Sequence, residues 1–363
     1  MTSRKDQAPV RVLVIDDSAF NRDSIAAMLD QSPQIEVVGR ARDGNEGLRE
    51  VVQREPDVIT LDLEMPRMDG YTFLRILMTR RPTPVVVISS HSARESVFKA
   101  LELGAVDFIA KPARTVAPEL ETIRQELLDK VLAVGRLRPV RLRGAQSRTA
   151  TEVAAGRPET APERAAELRG LVCIGASTGG PPALKEIVEQ LPGDLPVAVL
   201  ISQHMPASFT GPFARRLDSA GALRVREAGG GDLLEPGVAL VAPGSGSLVV
   251  SGPAGATPSV DIESGEPGSR RRIVPSADRM MESAAAVMGR NTMGVVLTGM
   301  GRDGSRGVVA IREAGGVTVA EAESSAVIFG MPEAAISTGA VDDVVPIGGI
   351  ADAIVRFARS LPR

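Results

Sequence analysis

Along the first third of the chain, short β-branched runs alternate with segments whose apolar residues recur at helical spacing. The runs VRVLVIDD (residues 10–17), IEVVGRA (35–41), DVITLDLEM (57–65), PVVVISSH (84–91) and AVDFIAKP (105–112) predict five strands with helices between them. Strand and helix in regular alternation predict a parallel sheet covered on both faces. The pattern dissolves near residue 137 and restarts with LVCIGASTGGPPALKEIVEQL (171–191), a buried strand, a turn of small residues and a helix with proline in its first turn. PVAVLISQHMP (196–206) and MGVVLTG (293–299) are further strands of that second half. The expected fold class is α/β, with a parallel, doubly wound sheet in the first half and a second strand-helix alternation following it.

In such sheets the functional groups gather at the carboxyl ends of the strands. There the first half places Asp16 and Asp17 after its first strand, Asp62 after the third, Ser89 and Ser90 after the fourth and Lys111 after the fifth. Carboxylates packed together repel unless a hard cation with oxygen ligands sits among them, and Mg²⁺ suits such a site. An aspartate neutralised in this way accepts a phosphoryl group, with lysine countering the new charge.

The stretches VLVIDDS, LDLEMPRMDG, VISS and FIAKP resemble the receiver domain of two-component response regulators over roughly residues 9–130. The resemblance implies a flavodoxin-like fold, Asp62 as phosphoacceptor, Asp16, Asp17 and Asp62 as the Mg²⁺ site, and a histidine kinase as phosphoryl donor. It also makes Ser89 the switch hydroxyl, Phe108 the switch aromatic and Lys111 the phosphate partner. His91, where relatives carry an apolar residue, reads as a surface substitution. Residues 137–169, rich in Arg, Ala, Pro, Thr and Glu, have no apolar face that would offset their ordering entropy and read as a tether. The expected organisation is a receiver at 9–132, a linker at 133–168 and a second domain at 169–363.

Ser177 lies in the small-residue turn, flanked by Gly175 and Gly179 in the pattern G-x-S-x-G, which exposes a serine hydroxyl at a helix N-terminus. A serine alcohol requires a base, most often histidine. The chain has 2 histidines, His91 and His204, and His204 ends the strand that follows Ser177. The third element is VLTGMGRDGSRG (296–307), whose Gly299, Gly301 and Gly304 have the spacing of a dinucleotide fingerprint, with Glu321 downstream as that reading would want. Against it, Asp303 would oppose a pyrophosphate inside its own cradle, and the loop does not follow the first strand of its domain. Read instead as the orienting carboxylate of a triad, Asp303 supplies what the serine and histidine lack.

The order Ser, His, Asp excludes the α/β-hydrolase arrangement, in which histidine comes last. IGASTGG, ISQHMP, LTGMGRDG and FGMPEAA in this order resemble the catalytic domain of the chemotaxis protein-glutamate methylesterase family, CheB. The resemblance implies a second doubly wound, mostly parallel, Rossmann-like sheet, with Ser177 as nucleophile, His204 as general base and acid, Asp303 as orienter, and the backbone NH groups of Thr178 and Met300 as oxyanion donors. It implies hydrolysis of glutamyl γ-methyl esters on the cytoplasmic helices of chemoreceptors, with glutamine deamidation by the same route and no cofactor in the catalytic domain. In SRRRIVPSADRMM (269–281) Pro275, Ser276 and Asp278 match the family's usual sequence while the lead-in differs, and Arg302 stands where relatives often have Asn; neither departure touches the triad.

Charge and composition then remove other classes. A net charge of -3 gives no global reason to bind nucleic acid, and no Trp with 1 Tyr leaves few platforms for stacking bases. No apolar run approaches the length of a membrane span, 1 cysteine (Cys173, read as a core residue) forms no internal disulfide, and the start of the chain has no signal-peptide pattern, so a cytoplasmic protein without membrane insertion is expected. The competing readings are a DNA-binding regulator, a nucleotide scaffold built on the 299–304 loop, and a catalytically weak methylesterase-like adaptor in a pathway other than chemotaxis.

Overall fold

The computed structural model describes residues 8–89, 94–111, 123–137, 167–252, 257–264 and 273–362. Ser90, His91, residues 138–166 of the expected linker and the arginine run at 270–272 lie outside them. The chain divides into two compact units, Met1–Thr149 and Ala150–Arg363. No helix among the described residues is long and apolar enough to cross a membrane.

The first unit runs β1 (Val10–Ile15), α1 (Ala19–Leu29), β2 (Ile35–Ala41), α2 (Gly44–Arg54), β3 (Val58–Leu61), α3 (Gly70–Arg80), β4 (Val85–Ser89), α4 (Arg94–Glu102), β5 (Asp107–Ala110) and α5 (Arg124–Gly135). Its sheet has the order β2-β1-β3-β4-β5, parallel throughout, which is the flavodoxin-like arrangement. The continuous apolar runs are explained by burial on both faces: every residue of β3, β4 and β5 is buried. Ser18, Asp43 and Asp69 cap α1, α2 and α3 by accepting the backbone N–H three residues on, so each loop between strand and helix ends where the first unpaired amides need an acceptor. The strand order reverses between β1 and β3, and the crevice outside that point receives Asp16 from one strand and Asp62 from the other.

The second unit runs β6 (Gly170–Ala176), α6 (Gly180–Gln190), β7 (Val197–Gln203), α7 (Ala207–Asp218), β8 (Arg224–Glu227), β9 (Asp232–Leu233), β10 (Val238–Val241), β11 (Gly246–Ser251), β12 (Ser259–Ser264), α8 (Ala277–Met288), β13 (Thr292–Val296), α9 (Ser305–Glu313), β14 (Val317–Glu321), α10 (Gly330–Ile336), β15 (Asp343–Val345) and α11 (Ile347–Ser360). Seven strands form one parallel sheet in the order β15-β14-β13-β6-β7-β10-β8. A separate antiparallel patch of three strands, β11-β12-β9, was not foreseen from the sequence. Leu171, Leu200, Met281, Val296, Ile311 and Met331 belong to the core that joins the sheet to its helices. Here the order reverses between β6 and β13, so the loops carrying Ser177 and Asp303 open on the switch-point crevice, and β7 adds His204 from the next strand.

Candidate active site

β6 and β7 pair in register to their last residues, Ala176 opposite Gln203. Ser177 and His204 are therefore the first residues beyond two adjacent strand ends, about 5 Å apart in backbone spacing. The His204 amide closes the ladder by donating to Ala176 O at 3.0 Å. The Ser177 amide turns the other way and donates to Thr298 O, beyond the end of β13, at 3.0 Å. Ser177 precedes a left-handed Gly179 (φ 79°), and a Cβ there would approach the Val327 Cβ to 2.7 Å. The turn is thus closed to any other residue, and it presents Ser177 and Thr178 at the N-terminus of α6, where the helix dipole favours negative charge.

Asp303 sits 5% exposed between two helix starts. Its carboxylate accepts from His204 Nε2 at 2.8 Å, from the Ser276 hydroxyl at 2.9 Å, and from the backbone amides of Ala277 and Asp278 at 2.6 and 3.0 Å. Ser276 also caps α8, taking the Arg279 amide on its hydroxyl oxygen. Asp278 returns the arrangement: its carboxylate accepts the amides of Arg306 and Gly307 at the start of α9, directly after Asp303. A carboxylate from α8 thus caps α9, and one from the loop leading into α9 caps α8. Burial pushes the Asp303 carboxyl up, but the His204 hydrogen bond and charge and the two α8 amides outweigh it and hold the pKa below the ordinary aspartate value. Asp303 is therefore ionised and only accepts, so His204 Nε2 carries the proton toward it and Nδ1 is the basic nitrogen.

The glycine spacing of the 299–304 loop has a different explanation from nucleotide binding. A Cβ on Gly299 would come within 2.7 Å of the Ser177 Cβ and 2.4 Å of the Met331 sulfur, so the absence of a side chain lets this loop lie against the serine turn. Among the described residues the half-buried Met300 amide donates to no protein acceptor. Glu321, the acid of the nucleotide reading, is buried and accepts from the Thr298 amide at 2.8 Å and the Ser325 hydroxyl at 2.9 Å. Burial pushes its pKa up to about 6 despite those two bonds. The Thr298 hydroxyl in turn donates to Thr178 O at 2.9 Å. Glu321 is thus part of the floor beneath the serine turn. Cys173 is fully buried within β6, as a core residue would be.

In the first unit, Lys111 Nζ donates to Asp16 at 2.9 Å and to Asp62 at 2.5 Å, all three side chains being buried. One carboxylate oxygen from each of Asp16, Asp17 and Asp62 lies within 4.8 Å of the others, with Asp17 exposed. Burial raises the Asp16 pKa, Lys111 lowers it and Asp62 raises it again, with a net upward shift. A divalent cation fits such a donor set: three acids share one ammonium. Ser89 is buried and its hydroxyl has no hydrogen-bond partner among the described residues. Phe108 is buried, edge-on to Phe98 at 6.5 Å between ring centres.

Sequence reading had named Ser177, His204, Asp303, Thr178 and Met300 at this edge, and Asp16, Asp17, Asp62, Ser89, Phe108 and Lys111 at the other. It had not named Gln203 or Thr298, whose contributions are bonds to or from backbone atoms, and it had named Ser276 and Asp278 only as residues shared with the family, not as neighbours that hold Asp303. The S-A-D sequence at 276–278, a helix-start signature, was the available signal for Ser276 and Asp278.

The CheB methylesterase family model matches residues 172–354, and the response regulator receiver domain model matches residues 12–120. The chain is 49% identical to the protein-glutamate methylesterase/protein-glutamine glutaminase 3 of Geobacter sulfurreducens, with 96% of this chain and 97% of the relative covered. It is 48% identical to the corresponding protein 6 of Anaeromyxobacter dehalogenans, over 96% of each chain. An archaeal relative of the same name, from Pyrococcus abyssi, is 42% identical over 98% of this chain and 94% of its own. With both family models matched in order and relatives aligned from end to end, the chain belongs to the CheB methylesterase family, in the form that carries a receiver domain ahead of the catalytic one.

Proposed function

We propose that the chain hydrolyses glutamyl γ-methyl esters on the cytoplasmic helices of chemoreceptors, giving glutamate and methanol, and deamidates receptor glutamines by the same route. Its relatives carry the name protein-glutamate methylesterase/protein-glutamine glutaminase. The observation that carries the reading is the 2.8 Å bond between His204 Nε2 and an Asp303 held ionised at a helix N-terminus, one strand away from Ser177.

In the reaction, His204 Nδ1 takes the Ser177 proton as the hydroxyl oxygen attacks the ester carbonyl. Asp303 fixes the tautomer that leaves Nδ1 basic and stabilises the imidazolium that results. The amides of Thr178 and Met300 receive the oxyanion. Methanol leaves with the proton from the imidazolium, and water, activated by the same nitrogen, releases the glutamate. Deamidation follows the same steps with ammonia leaving, at a lower rate because an amide nitrogen leaves less readily. Ser177→Ala should abolish methanol release from methylated receptor membranes with the fold intact, and retained release would remove Ser177 from the role of nucleophile.

The receiver begins near residue 9 and ends with α5 at Gly135, three residues beyond the expected 132, and a linker follows it to the catalytic domain at 169–363. Asp16, Asp17 and Asp62 would hold Mg²⁺, which supplies charge neutralisation for phosphoryl transfer. Asp62 accepts the phosphoryl group from a histidine kinase of the two-component type. Lys111, already bonded to Asp62, stays with the new charge, and the unpartnered Ser89 hydroxyl and Phe108 respond to it. Phosphorylation relieves inhibition of the catalytic domain by the receiver. The protein acts in the cytoplasm, where those receptor helices lie.

A further inference from the structure

We infer that Gln203 is a positioning residue that sets the separation of nucleophile and base; the inference rests on the esterase reading of Ser177 and His204. The parallel ladder between β6 and β7 ends at Ala176 and Gln203. Beyond it, the Ser177 amide belongs to the β13 side and the His204 amide to Ala176. No main-chain bond joins Ser177 to His204 directly. Gln203 does so with one group: its side-chain nitrogen donates to Ser177 O at 3.0 Å and to His204 O at 3.0 Å. Both partners are carbonyl oxygens, so only the NH₂ end of the amide serves, and its two hydrogens diverge at a fixed angle.

Two features show that the arrangement is built for those donors. The amide oxygen, Oε1, is buried and has no hydrogen-bond partner among the described residues, an unfavourable state that the two donated bonds must offset. And the backbone of Gly180, the first residue of α6, lies over the amide so closely that a Cβ there would stand 2.0 Å from Oε1. Gln203 is 2% exposed and lies under the reacting groups, out of reach of a bound substrate. Its effect must therefore be on the alignment of Ser177 with the imidazole, which is sensitive to displacements of about 1 Å.

The test uses the full-length protein, phosphorylated, with methylated receptor membranes as substrate and a fluorophosphonate as a probe that reacts with an activated serine but needs no receptor contact. Gln203→Leu removes both donors at similar volume. It should lower kcat about 100-fold with KM changed less than about twofold, and slow fluorophosphonate inactivation in parallel. Gly180→Ala leaves residue 203 in place and displaces its amide, so it should reproduce that loss, and it serves as the test if Gln203→Leu does not fold. In the double variant the loss should be no greater than in Gln203→Leu alone, because both changes remove the same pair of bonds. Normal kcat and inactivation rate in a folded Gln203→Leu or Gly180→Ala protein, or losses that multiply in the double variant, would overturn the inference. Absence of methanol release from the parent protein would instead overturn the esterase reading itself.

Discussion

Asp16 and Asp303 are both buried aspartates at the carboxyl edge of a parallel sheet, and their pKa values move in opposite directions. Asp16 is raised: burial and the neighbouring Asp62 outweigh the one ammonium, Lys111, that the two share. Asp303 is lowered: against burial, His204 and then two backbone amides surround it with donors, the Ser276 hydroxyl joins them, and the carboxylate of Asp278 close by is directed at another helix start. The receiver edge is left short of positive charge, which suits a site that takes up a cation and a phosphoryl group and gives them back. The catalytic edge is fully compensated and keeps one charge state through the reaction. The same topology serves a switch in one domain and a fixed dipole in the other, and the difference lies in whether the carboxylates are neutralised by charge or by N–H groups.

The sharpest way to break the comparison is at Asp303. Asp303→Asn places an amide NH₂ against donors and disturbs the tautomer of His204, so kcat should fall about 10⁴-fold, measured as methanol release; a loss below tenfold would show that the carboxylate does not orient the base. Asp16→Asn should leave the basal, donor-independent release unchanged while phosphate uptake at Asp62 is lost, measured with a radiolabelled phosphodonor. Chelation of divalent ions should act like Asp16→Asn, stopping phosphate uptake at Asp62 and sparing the basal esterase.

Stability should separate the acids in the same way. The folded-state pKa of Asp303 is depressed, so its contribution is present above the ordinary carboxylate pKa and is lost as pH falls through the lower folded value. Glu321, raised from 4.5 to about 6, has the opposite sign: its contribution is full below pH 4.5 and is lost as pH rises through about 6. The shift corresponds to roughly 2 kcal/mol. Glu321→Gln, which keeps an acceptor for the Thr298 amide and removes the buried charge, should raise stability at pH 8 by up to that amount and change it little at pH 4.5, as read from denaturant unfolding of the catalytic domain's transition. An equal gain at both pH values would refute the assignment of buried charge to Glu321.

Much of this was legible in one sequence because strand ends advertise themselves. An apolar run that stops at Asp62, Lys111, Ser177 or His204 places that residue on the carboxyl edge once the sheet is known to be parallel, and a common edge brings residues far apart in the chain together. The G-x-G-x-x-G spacing misleads by itself, because glycine reports only that something approaches closely; at Gly299 it is the Ser177 turn. Glu321 likewise carries no sign in the sequence that it caps the Thr298 amide from beneath. The reciprocal capping of α8 and α9 and the Gln203 bridge are bonds between a side chain and a backbone atom 25 or more residues away, except for Gln203 to its neighbour His204. Such bonds depend on how loops meet after folding, and periodicity holds no record of them. The antiparallel β11-β12-β9 patch was missed for a related reason: β9 is two residues long, and its pairing is set by its neighbours.

The central claim is that a phosphorylation switch at Asp62 governs an esterase built on Ser177, His204 and Asp303. Methanol release from methylated receptor membranes by the full-length protein, with and without a small-molecule phosphodonor and Mg²⁺, tests it most directly when Asp62→Ala and Ser177→Ala are run alongside. The account predicts release that the donor stimulates in the parent protein, unstimulated basal release in Asp62→Ala, and none in Ser177→Ala. Donor-stimulated release by Asp62→Ala, or sustained release by Ser177→Ala, would contradict it.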